Sequence, residues 1–230
     1  MSKKLKAVTF SYDDGVIYDK PLIEIFNKYG MKGTFNIITG EKEKNSYWKT
    51  ETGVKVIKGD IDSPEWRKIY DGHEIACHTR NHPWLNKISD EEIAEEFLGN
   101  REDIKQLFGI SPAGAAYPFN TYDKRCINLL RKNGFLFSRA GKSTHSFDVQ
   151  PEFLAYDPTC HHNDEALFEL AEKFINLTPD KPQIFYIWGH SYEFESDDNW
   201  DRIETLCKML GGRDDIFYGT NAQCFTEFLK

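Results

Sequence analysis

Val8-Thr9-Phe10-Ser11-Tyr12-Asp13-Asp14-Gly15 decides how this chain folds. A short apolar run ends abruptly in two carboxylates and a glycine, so a buried strand delivers polar groups at its C-terminal end. The same arrangement recurs. His78-Thr79-Arg80-Asn81-His82 follows Glu74-Ile75-Ala76-Cys77, Pro118-Phe119-Asn120 follows Gly114-Ala115-Ala116-Tyr117, Arg139 closes Phe135-Leu136-Phe137-Ser138, and His190 follows Ile187-Trp188-Gly189. In a parallel β/α sheet or barrel the C-terminal strand ends open on one face, so residues far apart in sequence share one pocket.

Apolar runs alternate with amphipathic stretches from end to end, which predicts an α/β fold of repeated β-α units around a parallel sheet or barrel. Strands are expected over 5–11, 33–38, 74–77, 114–117, 135–139, 153–156, 183–188 and 216–218. The best-marked helix begins at Ser89, with Glu92 completing a capping box, an apolar stripe of Ile93, Phe97, Ile104 and Leu107, and a stop at Gly109. Others are expected over 21–29, 64–70, 123–133, 164–177 and 200–210, most ended by Gly or Pro. The charged, Lys-rich segment 41–60 reads as an excursion over one face with a small hairpin around Gly53.

At 230 residues, 40% hydrophobic and 14% aromatic, the chain is long enough for one sizeable core, and one domain over 1–230 is expected. Its 37 acidic against 29 basic residues give a net charge of −8, which disfavours nucleic acid and anionic membrane as partners. The N-terminal residues lack the apolar core of a signal peptide, and no stretch is apolar enough to span a bilayer. The five cysteines are odd in number and scattered, so reduced thiols and a cytoplasmic location are expected.

His78 and His82, four residues apart, place two imidazoles on one side of a turn or helix. An Asp pair at a strand end offers one carboxylate to a metal and leaves the other free for proton transfer.

The motifs together resemble the polysaccharide deacetylase superfamily, the metal-dependent deacetylases of carbohydrate esterase family four. Val8 to Gly15 is similar to the first motif and Gly72 to His82 to the second, while Ala116-Tyr117-Pro118-Phe119-Asn120 resembles a divergent third motif and Ile187-Trp188-Gly189-His190 stands where the family has its late histidine. The resemblance implies a distorted (β/α)7 barrel. It also implies one divalent metal on Asp14, His78 and His82, with Asp13 as general base and His190 as general acid. Zinc is the first expectation, and cobalt, nickel, manganese or iron also suit imidazole and carboxylate ligands. The implied reaction is removal of an acetyl group from an N-acetylated sugar or a related small N-acyl compound.

Two departures stand out. The family's third motif carries an Arg that pairs with the catalytic Asp, yet Ala116 stands there; Arg139, ending the next strand on the same rim, is the positional candidate to replace it. The fourth motif is not recognisable, and Ala155-Tyr156-Asp157-Pro158-Thr159-Cys160-His161-His162 occupies its place. Tyr117, Pro118, Phe119, Trp188, Tyr192 and His161 are the expected substrate contacts, with Phe194 and Trp200 as further members of an aromatic sugar-stacking platform. Two rival readings are a hydrolase of a non-sugar amide of the cyclic ureide type and a non-catalytic carbohydrate-binding protein; the retained ligands oppose the first, and Asp13 with His190 the second.

Overall fold

The computed structural model describes residues 4–40 and 47–230. Strand β1 (Lys6–Asp13) is buried along its whole length, as expected for the centre of a sheet covered on both faces. Helix α1 (Asp19–Tyr29) buries Leu22, Ile23 and Phe26 and ends at Gly30, whose φ of +71° makes the left-handed cap that favours glycine. It returns the chain to β2 (Gly33–Ile37). The excursion then forms the hairpin β3 (Tyr47–Lys49) and β4 (Lys55–Ile57), turning through Gly53 at φ +86°; its residues 41–46 lie outside the described residues. Helix α2 (Pro64–Arg67) precedes β5 (Glu74–Cys77).

The helix announced by Ser89 has its capping box, but it is not one regular helix. Between α3 (Asp90–Ala94) and α4 (Asn100–Phe108) lies a π-turn, Glu95–Gly99. The extra residue in that turn shifts the helical register, so that Asn100 rather than an apolar residue faces the core. After β6 (Gly114–Ala116), α5 (Lys124–Lys132) and β7 (Phe137–Arg139) comes a difference from the expected pattern. The segment read as a strand over 153–156 is a short 3₁₀ turn, Phe153–Ala155, because the Glu152 side chain accepts from Leu154 N at 3.0 Å and curls the backbone; Tyr156 alone bridges to Arg139. A two-residue strand not anticipated, β8 (Cys160–His161), pairs instead. Then follow α6 (Leu167–Asn176), β9 (Gln183–Gly189), α7 (Tyr192–Ser196), α8 (Trp200–Leu210), β10 (Ile216–Tyr218) and α9 (Asn221–Gln223).

The main sheet is a curled, parallel half-barrel of seven strands in the order β7-β6-β5-β2-β1-β9-β8, with β10 joining the lower half of β1, and it fits a distorted (β/α)7 barrel. Parallel pairing sends every C-terminal strand end to one rim. One apolar cluster lies between this sheet and the helices, and a second, containing Ala7, Ala76, Phe137 and Tyr186, is closed by Phe225 and Phe228 of the C-terminal turn. The five cysteines are buried and free. No helix among the described residues is long and apolar enough to cross a membrane.

Candidate active site

The backbone leaves β1 through Asp14 at φ +81° and Gly15 at φ +67°, and Asp14 N donates to Asn36 O at 3.0 Å, pinning the bend to β2. Thr79 (φ +63°) and His82 (φ +53°) bend the segment after β5 the same way, and His82 N donates to Thr79 Oγ1 at 3.0 Å. Non-glycine residues in this region each cost on the order of 1 kcal/mol or more, strain that clusters at functional sites. Here the bends bring ligand atoms of Asp14, His78 and His82 within 4.8 Å of one another.

The spacing inside this trio is informative. Asp14 Oδ1 lies 3.6 Å from His78 Nε2 and 3.8 Å from His82 Nε2, both beyond hydrogen-bond length, and that buried oxygen has no hydrogen-bond partner. A buried carboxylate oxygen without a donor, faced by two ring nitrogens, fits a divalent cation between them. His78 Nδ1 is 3.0 Å from Ala116 O, an acceptor only, so Nδ1 carries the proton and Nε2 presents its lone pair to Asp14. Burial pushes both imidazoles down, His82 to about 4, which keeps them in the neutral, ligating form.

Asp13 and Arg139 meet beside this trio. The guanidinium donates through Nη2 to Asp13 Oδ2, through Nε to Ser11 Oγ at 3.1 Å and through Nη1 to Ala140 O at 3.0 Å; its ring neighbour is Trp188, 4.4 Å from the centroid. Asn36 Nδ2 donates to the other Asp13 oxygen at 2.8 Å. Burial alone would raise the Asp13 pKa, but Arg139, then His78 and His190, outweigh it and hold the carboxyl at about 2. Arg139, paired beside Ala116 in the sheet, thus brings its guanidinium onto Asp13.

Sequence reasoning missed Glu193. It lies on α7, three residues after His190, and its Oε1 is 3.3 Å from His190 Nδ1. Its Oε2 accepts from His190 N at 3.0 Å and lies 3.1 Å from His161 Nε2 and 3.2 Å from His162 Nε2. These ring nitrogens lie 3.1–3.3 Å from the carboxylate, closer than those around Asp14, although His162 Nε2 and His190 Nδ1 lack hydrogen-bond geometry, and His161, His190 and Glu193 form a second group whose ligand atoms lie within 4.8 Å of one another. Burial would lower the His190 pKa, but Glu193, Asp14 and Asp13 raise it to about 9, while the same histidines drive Glu193 far below the usual carboxylate range. The signal in the sequence was the His-x-x-Glu spacing at a helix start.

A second missed group braces the ligands from behind. Asn100, fully buried, accepts from His78 N at 3.1 Å and donates to Ile37 O and Thr39 Oγ1 at 3.0 and 2.9 Å. In the π-turn, Glu96 O accepts from Arg80 N at 3.2 Å and its carboxylate takes Asn81 N at 2.8 Å and Asn81 Nδ2 at 2.7 Å. The irregular turn thereby meets the loop that carries both histidines.

Above these groups opens a cleft of about 530 Å³. Tyr117, Phe119, Trp188 and Tyr192 line it together with Trp48, which stands edge-on to Tyr192 at 5.6 Å. Phe119 is 49% exposed and stacks on Trp84 with centroids 4.5 Å apart. Pro118 and His161 do not line the cleft, Phe194 is fully buried against His162, and Trp200 faces a separate surface groove.

The family model for polysaccharide deacetylases matches residues 1–138, so the chain belongs to that family. A chitin deacetylase of Colletotrichum lindemuthianum is 26% identical over 184 residues, 78% of this chain and 64% of that protein. A solved chitin deacetylase from the same fungus superposes with a TM-score of 0.61 at 19% identity, covering 98% of this chain and 89% of the other. A peptidoglycan-N-acetylglucosamine deacetylase of Bacillus cereus is 25% identical over 101 residues, 44% of this chain and 40% of that protein. These matches span 40–64% of the curated relatives' own lengths. An acetyl xylan esterase from Clostridium thermocellum, solved with a cobalt ion, shares the fold with a TM-score of 0.58 at 17% identity, over 96% and 90% of the two chains.

Proposed function

We propose that residues 1–230 form one catalytic domain, a metal-dependent deacetylase that hydrolyses the acetamido group of an N-acetylated sugar. The observation that carries this reading is the convergence of three sets on one rim: the Asp14, His78 and His82 trio, the Asp13 and Arg139 pair, and the His190 and Glu193 pair. Relatives named for chitin and peptidoglycan deacetylation support a carbohydrate substrate. Asp14 Oδ1, His78 Nε2 and His82 Nε2 would hold the ion, zinc first, with cobalt, nickel, manganese or iron compatible with the same donors. Such an ion supplies Lewis acidity, polarising the amide carbonyl and making water a nucleophile near neutral pH.

The protein's own groups do the rest. Asp13, ionised and held by Arg139 and Asn36, takes the proton of the attacking water. His190, whose Nδ1 is turned to Glu193, delivers a proton from Nε2 to the amide nitrogen as the C–N bond breaks, so acetate and a free amine leave. Trp188, Tyr192 and Phe119 offer apolar faces to the sugar ring. The loss of the third-motif Arg was the best support for a non-catalytic binding protein, and the contact of Arg139 with Asp13 favours the catalytic reading over it.

The test is acetate release from N-acetylglucosamine and its β-1,4 oligomers after metal-free protein is loaded with Zn²⁺ or Co²⁺. Metal-dependent release is expected. Tight metal binding with no acetate from any of these substrates would contradict the proposal.

A further inference from the structure

The segments that leave β1 and β9 are tied together by one buried carboxylate. Asp19 opens α1, downstream of Asp13 and Asp14, and its backbone N donates to Val16 O at 2.9 Å. Ser191 directly follows His190, and its Oγ donates to Asp19 Oδ1 at 2.6 Å. Tyr70, which closes the 3₁₀ turn Lys68–Tyr70 ahead of β5, donates its hydroxyl to Asp19 Oδ2 at 2.8 Å. All three residues are buried, Asp19 and Ser191 completely. The turn that carries His190 is therefore held at two successive residues, at His190 N by Glu193 Oε2 at 3.0 Å and at Ser191 by Asp19.

Two features set this contact apart from ordinary packing. A serine in front of a helix usually caps it. Ser191 stands at that position before α7 yet makes no side-chain cap, its hydroxyl being turned to Asp19 instead. The second feature is the charge. Asp19 is held by two neutral hydroxyls, and although both lower its pKa, burial together with Asp14 and Asp13 raises it to about 7. An uncharged side chain at 19 would avoid the cost of burying a carboxylate, so stability alone does not account for the acid. We propose that Asp19 is a positioning residue for His190, acting through Ser191, so that the turn bearing the acid is set from the segment that follows Asp13 and Asp14. The role of His190 as acid rests on the deacetylase reading above; the hold of Asp19 on its turn does not.

The experiment follows hydrogen exchange of the His190 backbone amide by NMR in the zinc-loaded full chain. Ser191→Ala removes the donor and Asp19→Leu removes the acceptor, whereas Asp19→Asn keeps an oxygen for Ser191. In the first two the His190 amide is expected to exchange about tenfold faster or more, while the Val8 and Phe35 amides and zinc affinity stay as in the wild type. Asp19→Asn should restore most of the His190 protection. On N-acetylglucosamine tetramer, Ser191→Ala should lower kcat about five- to tenfold with KM unchanged, and its effect should not add to that of Asp19→Leu. Unchanged His190 exchange in Ser191→Ala, equal acceleration at Val8 and Phe35, or an effect confined to KM overturns the proposal, since the contact would then be packing alone. Because Ser191→Ala removes a single oxygen, it decides the matter even if Asp19→Leu does not fold. A wild type that releases no acetate would defeat the deacetylase reading and leave the exchange result to decide the positioning.

Discussion

Glu193 folds back over His190 three residues upstream, taking the His190 backbone N–H on Oε2 at 3.0 Å while Oε1 lies 3.3 Å from the ring nitrogen Nδ1. One carboxylate thus holds the backbone beside the proposed acid and faces its ring nitrogen Nδ1. His161 and His162 close on its Oε2 and leave it little freedom to move.

Glu193→Gln is therefore expected to lower kcat by about 10–100-fold while metal affinity is retained. Without the carboxylate the His190 pKa falls, so the alkaline limb of the kcat profile should move to lower pH. An unmoved limb with full turnover would show that Glu193 has no hold on the acid.

The same pair makes metal-free stability depend on pH. The folded His190 pKa of about 9 lies above its ordinary 6.5, so the folded state binds the extra proton between those values. Its contribution is present in full below pH 6.5 and is lost as the pH rises through about 9. Thermal melts of His190→Gln should show a flatter decline across that window than the wild type; parallel curves would count against the pairing.

Asp13→Asn should keep the metal and lose turnover by about 10²-fold or more, because the water loses its proton acceptor. Isothermal titration with zinc beside acetate release separates the two effects. Unchanged turnover would remove Asp13 from the base role.

Arg139→Ala leaves the Asp13 charge buried and unpaired, a loss of about 3–5 kcal/mol for a pair of this kind. Denaturant unfolding should show it, and turnover should fall while Asp14, His78 and His82 still take up the metal. A variant as stable and as active as the wild type would mean that the pair does neither job.

Gly189→Ala tests how tightly the acid's strand is packed. A Cβ at 189 would overlap the imidazole of His162, which is fully buried between the rings of Tyr12, 5.6 Å away, and Phe194, 4.1 Å away. Overpacking there should cost about 1–3 kcal/mol, and a neutral melting temperature would show that the ring has room to yield.

Much of this was legible in the sequence because burial on both faces writes β1, β5 and β9 as apolar runs, and because Asp13, Asp14, His78 and His82 stand at fixed short distances from strand ends. Arg139 was reachable by the same logic. What stayed hidden has no periodic signature. β8 is two residues long, and it is anchored beside β9 where Tyr186 N donates to Thr159 Oγ1 at 3.1 Å and Thr159 N to Tyr186 O at 2.8 Å. Asn100 reads as a surface residue until the π-turn rotates it inward. Glu193 reads as one more acid on a helix until its three histidines are brought together from two strands.

The central claim, that Asp14, His78 and His82 hold one catalytic divalent ion, is tested most directly by anomalous scattering from crystals of zinc-loaded protein at the zinc edge. The account predicts a single peak between Asp14 Oδ1 and the two Nε2 atoms, with Zn–N distances of ~2.0–2.1 Å, and its disappearance in His78→Ala. A peak at His161, His190 and Glu193 instead, or full occupancy retained in His78→Ala, would contradict it.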